Sequence, residues 1–200
     1  MPVEMKNLVK NKRPNDGAFY DTEHYIKDWI IPFYLGEINQ WENKKNALLS
    51  LFEKKSKPNL TEDGEQKTDY NINNDYHKLV EALLFEDIRL AYKSLGFTGN
   101  PEIGNAWFQS YSRAEYHGTH NHGMCALSMV VFIKYDDTKH SPTTFISPYL
   151  SFRDGNVMEF VPDGVHEGSI IMFPSGLMHN APSNQNDEER LILSANILCS

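Results

Sequence analysis

The sequence predicts an α+β chain with a β core, and three observations carry that expectation. Two segments in the first half show apolar residues at a helical period. From residue 103 onward the pattern changes to short apolar runs. Turn residues then punctuate those runs. The runs are Trp107–Tyr111, Ala126–Lys134, Thr144–Ser151, Val157–Val161, Ser169–Phe173, Met178–Pro182 and Leu191–Leu198. Between them stand Gly104, Asp136–Asp137, Asp154–Gly155, Pro162–Asp163–Gly164, Gly176 and Asn184–Asn186. Seven or eight short antiparallel strands in about 95 residues imply a sandwich, a jelly roll or a barrel.

The elements follow in order. Residues 1–20 are polar, hold Pro2 and Pro14, and read as a lead-in without periodicity. Trp29–Leu35 is an apolar aromatic run ending at Gly36; it reads as an edge strand, since Pro32 cannot donate to a ladder. Ile38, Trp41, Leu48, Leu49 and Phe52 mark the first helix. Residues 54–74 are the most polar stretch and read as a surface excursion, either a loop or a segment closing over something. The second helix starts near Asn73–Asn74–Asp75, carries Val80, Leu83, Leu84, Ile88, Ala91 and Leu95, and stops at Gly96, a residue suited to the left-handed C-terminal position. One domain over residues 1–200 is expected, with residues 1–102 packing on a core of residues 103–200.

Composition narrows the partners. The chain has 40% hydrophobic and 12% aromatic residues, enough apolar material for a core, and a net charge of −8. An acidic chain without a Lys/Arg block lacks the footprint of a nucleic-acid binder, and Lys10, Lys12 and Arg13 read as a solvated terminal cluster. Only two cysteines occur, Cys125 and Cys199, which fits a reducing compartment better than a disulfide framework. No stretch has the length of a signal-peptide core or a membrane span, so a cytoplasmic protein is expected.

The chemistry sits in the histidines. His117, His120 and His122 lie within six residues, in YHGTHNHGM. Imidazole binds iron, zinc, copper and nickel, so the group points to a transition metal without choosing one. On an extended segment residues i and i+2 face one side, so His120 and His122 can address one ion while His117 faces elsewhere. His24, His77 and His140 read as solvated, and His166 as a turn residue. A second landmark is FPSGLMH, a strand running into a Pro-Ser-Gly turn and ending at His179. Eleven residues later Arg190 leads into Leu191–Ile192–Leu193; an arginine entering a buried strand calls for a carboxylate partner.

The order Tyr111, His120-x-His122, FPSGLMH with His179, then Arg190 resembles the 2-oxoglutarate- and Fe(II)-dependent oxygenases. It is most similar to the bacterial and phage branch of their prolyl-hydroxylase-like group. The resemblance covers about residues 103–198, with a weaker likeness in residues 29–39. It implies a double-stranded β-helix, a form of jelly roll, buttressed by the N-terminal helices. It also implies Fe(II) held by His120, His122 and His179, and 2-oxoglutarate as co-substrate. Arg190 would hold the co-substrate's far carboxylate, with Tyr111 beside it and Ser194 or Asn196 adding hydrogen bonds. O2 and a small-molecule or peptide substrate are the implied partners, and the products are succinate, CO2 and a hydroxylated substrate. No residue beyond the metal ligands need act as catalytic acid or base.

His122 departs from the family pattern, which places a carboxylate there. Glu115, Asp136 and Asp137 are the alternative carboxylates for the third position, although sequence order favours His122. Two other readings remain. One is a three-histidine cupin-type dioxygenase or isomerase without 2-oxoglutarate, which needs no Arg190. The other is a jelly-roll binding module with a vestigial site. Residues 54–74 and Asp137–Pro142 are candidate lids, and the sequence leaves the substrate and the oligomeric state, a homodimer included, open.

Overall fold

The computed structural model describes residues 31–200 except positions 64, 72–74, 124, 125, 152, 199 and 200. The polar lead-in, His24, the Lys10/Lys12/Arg13 cluster, Trp29–Ile30 and both cysteines lie outside the described residues. Residues 33–200 form one compact unit.

The chain enters through β1 (Tyr34–Glu37), then α1 (Trp41–Leu51). A π-helical turn (Phe52–Ser56), a 3-10 turn (Lys57–Asn59) and the short strands β2 (Thr61–Asp63) and β3 (Gln66–Thr68) lead to α2 (His77–Ser94). Eight strands follow: β4 (Glu102–Tyr111), β5 (His117–His120), β6 (Leu127–Lys134), β7 (Thr144–Leu150), β8 (Val157–Phe160), β9 (Ser169–Pro174), β10 (His179–Ala181) and β11 (Arg190–Leu198). They make a seven-stranded sheet, β1-β9-β6-β11-β4-β3-β2, and a four-stranded one, β5-β10-β7-β8. All the pairings are antiparallel. This is the jelly-roll arrangement of a double-stranded β-helix. The edge strand expected over Trp29–Leu35 lies at Tyr34–Glu37 instead, at the sheet edge but with Pro32 outside the ladder.

Strand periodicity decides what each face of the large sheet does. On β11, Leu191, Leu193, Ala195 and Ile197 join a core with Val80, Leu84, Ile88 and Ala91 of α2 and Leu48 of α1. The intervening Ile192, Ser194 and Asn196 line cavities on the opposite face. On β4, Ala106 and Phe108 face the helices while Trp107, Gln109 and Tyr111 face the other way. The helices therefore cover one side of the sheet and leave the other for chemistry. Helix α2 ends as its sequence suggests, with Gly96 at φ +89°.

Two expectations need correction. The polar stretch 54–74 is not a free loop: β3 pairs with β4 (Lys67 opposite Ser110, Thr68 opposite Gln109) and extends the large sheet by a hairpin. Its buried members are polar because each finds a partner. Thr68 Oγ1 donates to the Phe108 carbonyl at 3.1 Å, and Asp69 accepts from Phe108 N at 2.8 Å and Tyr76 Oη at 2.5 Å. His140, read as solvated, is 7% exposed, because Nδ1 accepts from Asp136 N at 3.0 Å and its carbonyl accepts from Tyr135 Oη at 2.8 Å. No helix among the described residues is long and apolar enough to cross a membrane.

Asp69 fastens the hairpin to both β4 and the entry to α2, so its loss strands two buried donors. Asp69→Ala should destabilise the fold by about 2–4 kcal/mol. A lowered urea midpoint with unchanged m-value is the expected readout.

Candidate metal centre

Each histidine reaches the centre by a different route. Strands β5 and β10 are antiparallel neighbours that set His120 opposite His179, which brings the two rings to 4.3 Å between centroids. His122 lies two residues past the end of β5, where its backbone N–H donates to the Ser175 carbonyl at 2.9 Å. The Pro-Ser-Gly turn thus holds the loop after β5 against the strand pair. The His122 ring stands 5.3 Å from His120 and 5.1 Å from His179. One ligand atom from each of His120, His122 and His179 lies within 4.8 Å of the others.

Hydrogen bonds select which nitrogen is free. The Nδ1 of His120 faces the Gly118 carbonyl at 2.8 Å, and that of His179 faces the Leu177 carbonyl at 2.9 Å. The Nδ1 of His122 faces Asn196 Oδ1 at 2.7 Å, with Ser128 Oγ at 3.0 Å. An oxygen acceptor at Nδ1 fixes the proton there and leaves Nε2 as the lone-pair donor. All three ligand candidates share this arrangement. His117 has the opposite one. It stacks on His120 at 3.8 Å, but Gln109 Nε2 approaches its Nδ1 at 3.1 Å. Gln109 Oε1 is taken by Ser194 Oγ at 2.7 Å, so its nitrogen faces His117 and the His117 proton sits on Nε2. His117 is a neighbour of the centre and no member of the converging group.

Burial keeps the rings neutral, the form that binds metal. It pushes His179 down to about 3, with repulsion from His120 adding to it. It lowers His120 and His122 as well. His117 falls to about 4 for the same reason, helped by the charges that His120 and His122 would carry. Phe173, 4.8 Å from the His179 ring, and Phe145, 6.1 Å from it, supply apolar cover.

The carboxylate alternatives lie elsewhere. Glu115 accepts from Ser112 N at 2.6 Å and pairs with Lys67, and Asp136 is engaged by Thr138 and Lys139. Asp137 and His166 line an outer cleft with Asp136 rather than the histidine cavity. Of the candidate lids, Asp137–Pro142 folds down on the core, because the Ser141 carbonyl accepts from Arg190.

Arg190 is 2% exposed and its guanidinium lies 4.3 Å over the Tyr111 ring, its partner across the β11–β4 ladder. Its two terminal nitrogens donate to the Ser141 and Pro182 carbonyls, both at 2.8 Å. No carboxylate pairs with it among the described residues, and its Nε lacks a partner. The Tyr111 hydroxyl, equally buried, also lacks one. Burial opposes the Arg190 charge and raises the Tyr111 pKa, leaving a phenol that donates. Ser194 is occupied by Gln109, and Asn196 holds His122 and Asn105. Sequence reasoning passed over Gln66, Gln109 and Trp107. The period of β4, which puts Trp107, Gln109 and Tyr111 on one face, was the available signal.

A double-stranded β-helix with three converging histidines and a buried unpaired arginine is an arrangement that fits a non-haem metal oxygenase. Residues 105–196 match the family profile described as "Putative 2OG-Fe(II) oxygenase". That profile spans most of the β core, and the three converging histidines are a donor set that fits the Fe(II) its description names. Among solved structures, a Pseudomonas putida prolyl-4-hydroxylase is similar at 15% identity and TM-score 0.57, covering 85% of this chain and 94% of that one. The epimerase SnoN in complex with Fe3+, alpha ketoglutarate and nogalamycin RO is similar at 15% identity and TM-score 0.62, covering 84% and 79%. The viral collagen prolyl hydroxylase from Paramecium Bursaria Chlorella virus-1 follows at 11% and 0.52, covering 82% and 94%. At these identities the likeness is one of fold. No curated protein matches the chain in sequence.

The depressed histidines also give a pH dependence. Below ~6.5, the value of a free histidine, the unfolded chain takes up protons that the folded chain refuses. Stability is therefore full above that pH and falls as pH drops toward 4 and then 3, the values of His117 and His179. The metal-free protein should lose on the order of a few kcal/mol between pH 7.5 and 4.5. Urea midpoints across that range should slope downward, and His179→Gln should flatten the slope.

Proposed function

We propose that this chain is a hydroxylase acting on a small-molecule or peptide substrate, RH + O2 + 2-oxoglutarate → ROH + succinate + CO2. In this reading His120, His122 and His179 hold the iron through Nε2. Arg190 and Tyr111 receive the far carboxylate of 2-oxoglutarate. The observation that carries the reading is the buried, uncompensated Arg190 charge beside the orphaned Tyr111 hydroxyl. A buried cation without a counter-ion costs several kcal/mol, and an unpaired buried hydroxyl adds to the deficit. One carboxylate answers both, by accepting from the guanidinium Nε and the phenol. Tyr111 and Ser194 line the same narrow cavity, about 10 Å³, as His120, His122 and His179; it would have to widen to take the acid, whose other end would then lie toward the metal ligands.

Bound together, iron and 2-oxoglutarate supply the oxidising power, because decarboxylation of the keto acid drives oxygen insertion into a C–H bond. The protein's own residues do the rest. Arg190 fixes the depth at which the co-substrate sits. Val130 and Ile192 line the cavity and keep water from competing for the carboxylate. The Asn196 and carbonyl acceptors hold the three rings in one tautomer. With a histidine at position 122 all three ligands are neutral, so the ion keeps its full charge. The 2-oxoglutarate dianion offsets it.

This reading separates from a 2-oxoglutarate-independent dioxygenase at Arg190. Anaerobic addition of Fe(II) and 2-oxoglutarate should give a visible charge-transfer band that titrates to saturation. In Arg190→Ala the 2-oxoglutarate Kd should rise by roughly 100-fold, the cost of removing a charged hydrogen-bonding partner. An unchanged titration in that variant, or no band with the wild-type chain, sinks the proposal.

A further inference from the structure

The cavity in front of the histidines, about 460 Å³, is lined by amides and aromatics and by no Lys, Arg, Asp or Glu. Trp107 and Tyr70 form its aromatic part, edge to face at 4.8 Å. Five side-chain amides stand on its wall: Gln66, Asn105, Gln109, Asn121 and Asn196. Every one of their oxygens is taken. Gln109 Oε1 accepts from Ser194, and Gln66 Oε1 accepts from Gln109 Nε2 at 2.8 Å. Asn196 Oδ1 accepts from His122, Asn105 Oδ1 from Asn196 Nδ2 at 2.9 Å, and Asn121 Oδ1 from Gly123 N at 3.0 Å.

Apart from the Nε2 lone pairs of His120 and His122 and the Tyr70 hydroxyl at the exposed rim, what remains without a partner is donors. Gln66 Nε2, Asn105 Nδ2 and the Nε2–H of His117 bond to nothing else among the described residues. Gln66 is the most buried of the three residues, at 4% exposed, and its amide nitrogen keeps part of that exposure on the cavity side. A wall whose free amide and His117 groups all donate has to be answered by acceptors. An ammonium brings only more donors. A carboxylate brings acceptors but meets no cation on this wall, so an uncharged oxygen fits better.

We infer that the primary substrate is held through uncharged carbonyl oxygens of an amide or acyl group. These accept from Gln66, His117 and Asn105 while a flat face of the molecule rests on Tyr70 and Trp107. The inference deepens the proposed function and rests on it only in taking this cavity as the substrate side of the metal centre. It gives the β2–β3 hairpin a task, because Gln66 opens β3 and carries the most buried of the free donors.

Calorimetric titration of the full chain tests it, once metal-free and once anaerobically with Fe(II) and 2-oxoglutarate. Three probes share a ring and differ in polarity: N-acetylphenylalaninamide, N-acetylphenylalaninate and phenethylamine. The neutral amide should bind tightest, the carboxylate at least ~5-fold more weakly, and the amine without saturation. Gln66→Glu keeps the oxygen that Gln109 needs and turns the free donor into an acceptor. Amide binding should fall at least ~10-fold there, and the amine should gain. Asn105→Asp, on the exposed side of the cavity, should weaken the amide ~3-fold or more and covers the case in which Gln66→Glu does not fold. The inference is overturned if the wild-type chain binds no amide, prefers the amine or the carboxylate, or keeps its amide Kd in the folded variants. A missing charge-transfer band with intact probe selectivity defeats the oxygenase reading alone. A normal band without selectivity defeats the donor cavity alone.

Discussion

Strand β11 lies between β4 and β6 along most of its length, and its side chains have to serve two environments at once. Odd-numbered residues from Leu191 to Ile197 pack against the helices, even-numbered residues from Ile192 to Asn196 line the site, and Arg190 lies over Tyr111. The period of two couples these faces rigidly. A slip of one residue would bury Ser194 and Asn196 under α2 and push leucines into the cavity. The hydrophobic core therefore sets the register that places Arg190 over Tyr111 and Asn196 under His122. The packing of two helices, far from any ligand, decides where the charge and the acceptors of the site fall.

The metal centre adds a second constraint, the direction of each imidazole. Carbonyls of Gly118 and Leu177 and the side chain of Asn196 hold the three Nδ1 protons, so the Nε2 atoms are the ones left to converge. Two of those acceptors are backbone and tolerate any side chain at their position. The third is the side chain of Asn196, and it serves His122, the histidine that departs from the pattern. A histidine at 122 needs an acceptor behind it to act as a ligand, and Asn196 on β11 supplies it. His117 shows the contrast: the same residue type, stacked on a ligand, is turned into a donor by an amide nitrogen.

Much of this was legible in the sequence, and the failures share a cause. The runs from Trp107 to Leu198 announced their strands because apolar residues and turn residues alternate there. His120, His122, His179 and Arg190 stood out by spacing, and the structure brings the three histidines together, with Arg190 buried over Tyr111 on the large sheet. Strand β5, His-Gly-Thr-His, has no apolar alternation and exists because β10 pairs with it. The β2–β3 hairpin was hidden because Gln66, Thr68 and Asp69 are buried polar residues satisfied by β4 and Tyr76. His140 was hidden in the same way. Hydropathy detects burial that water exclusion drives, and it is blind to burial that hydrogen bonds permit.

That blindness falls on the residues with the most to say about chemistry. A polar side chain pulled out of water is stable only if its hydrogen bonds are answered, and a complete set of answers can be counted atom by atom. Where the count closes, as at Asp69 and Asn196, the residue is architecture. Where it stays open, as at the Arg190 Nε and the Tyr111 hydroxyl, the molecule carries a standing deficit, and the Gln66 amide nitrogen is left unpartnered at the cavity. The open positions differ in kind. Arg190 is a cation and asks for an anion; Gln66 is neutral and asks for a carbonyl. The two groups lie on the sheet face turned away from the helices, so in the proposed reading one face separates a charged co-substrate from an uncharged substrate by the polarity each is offered.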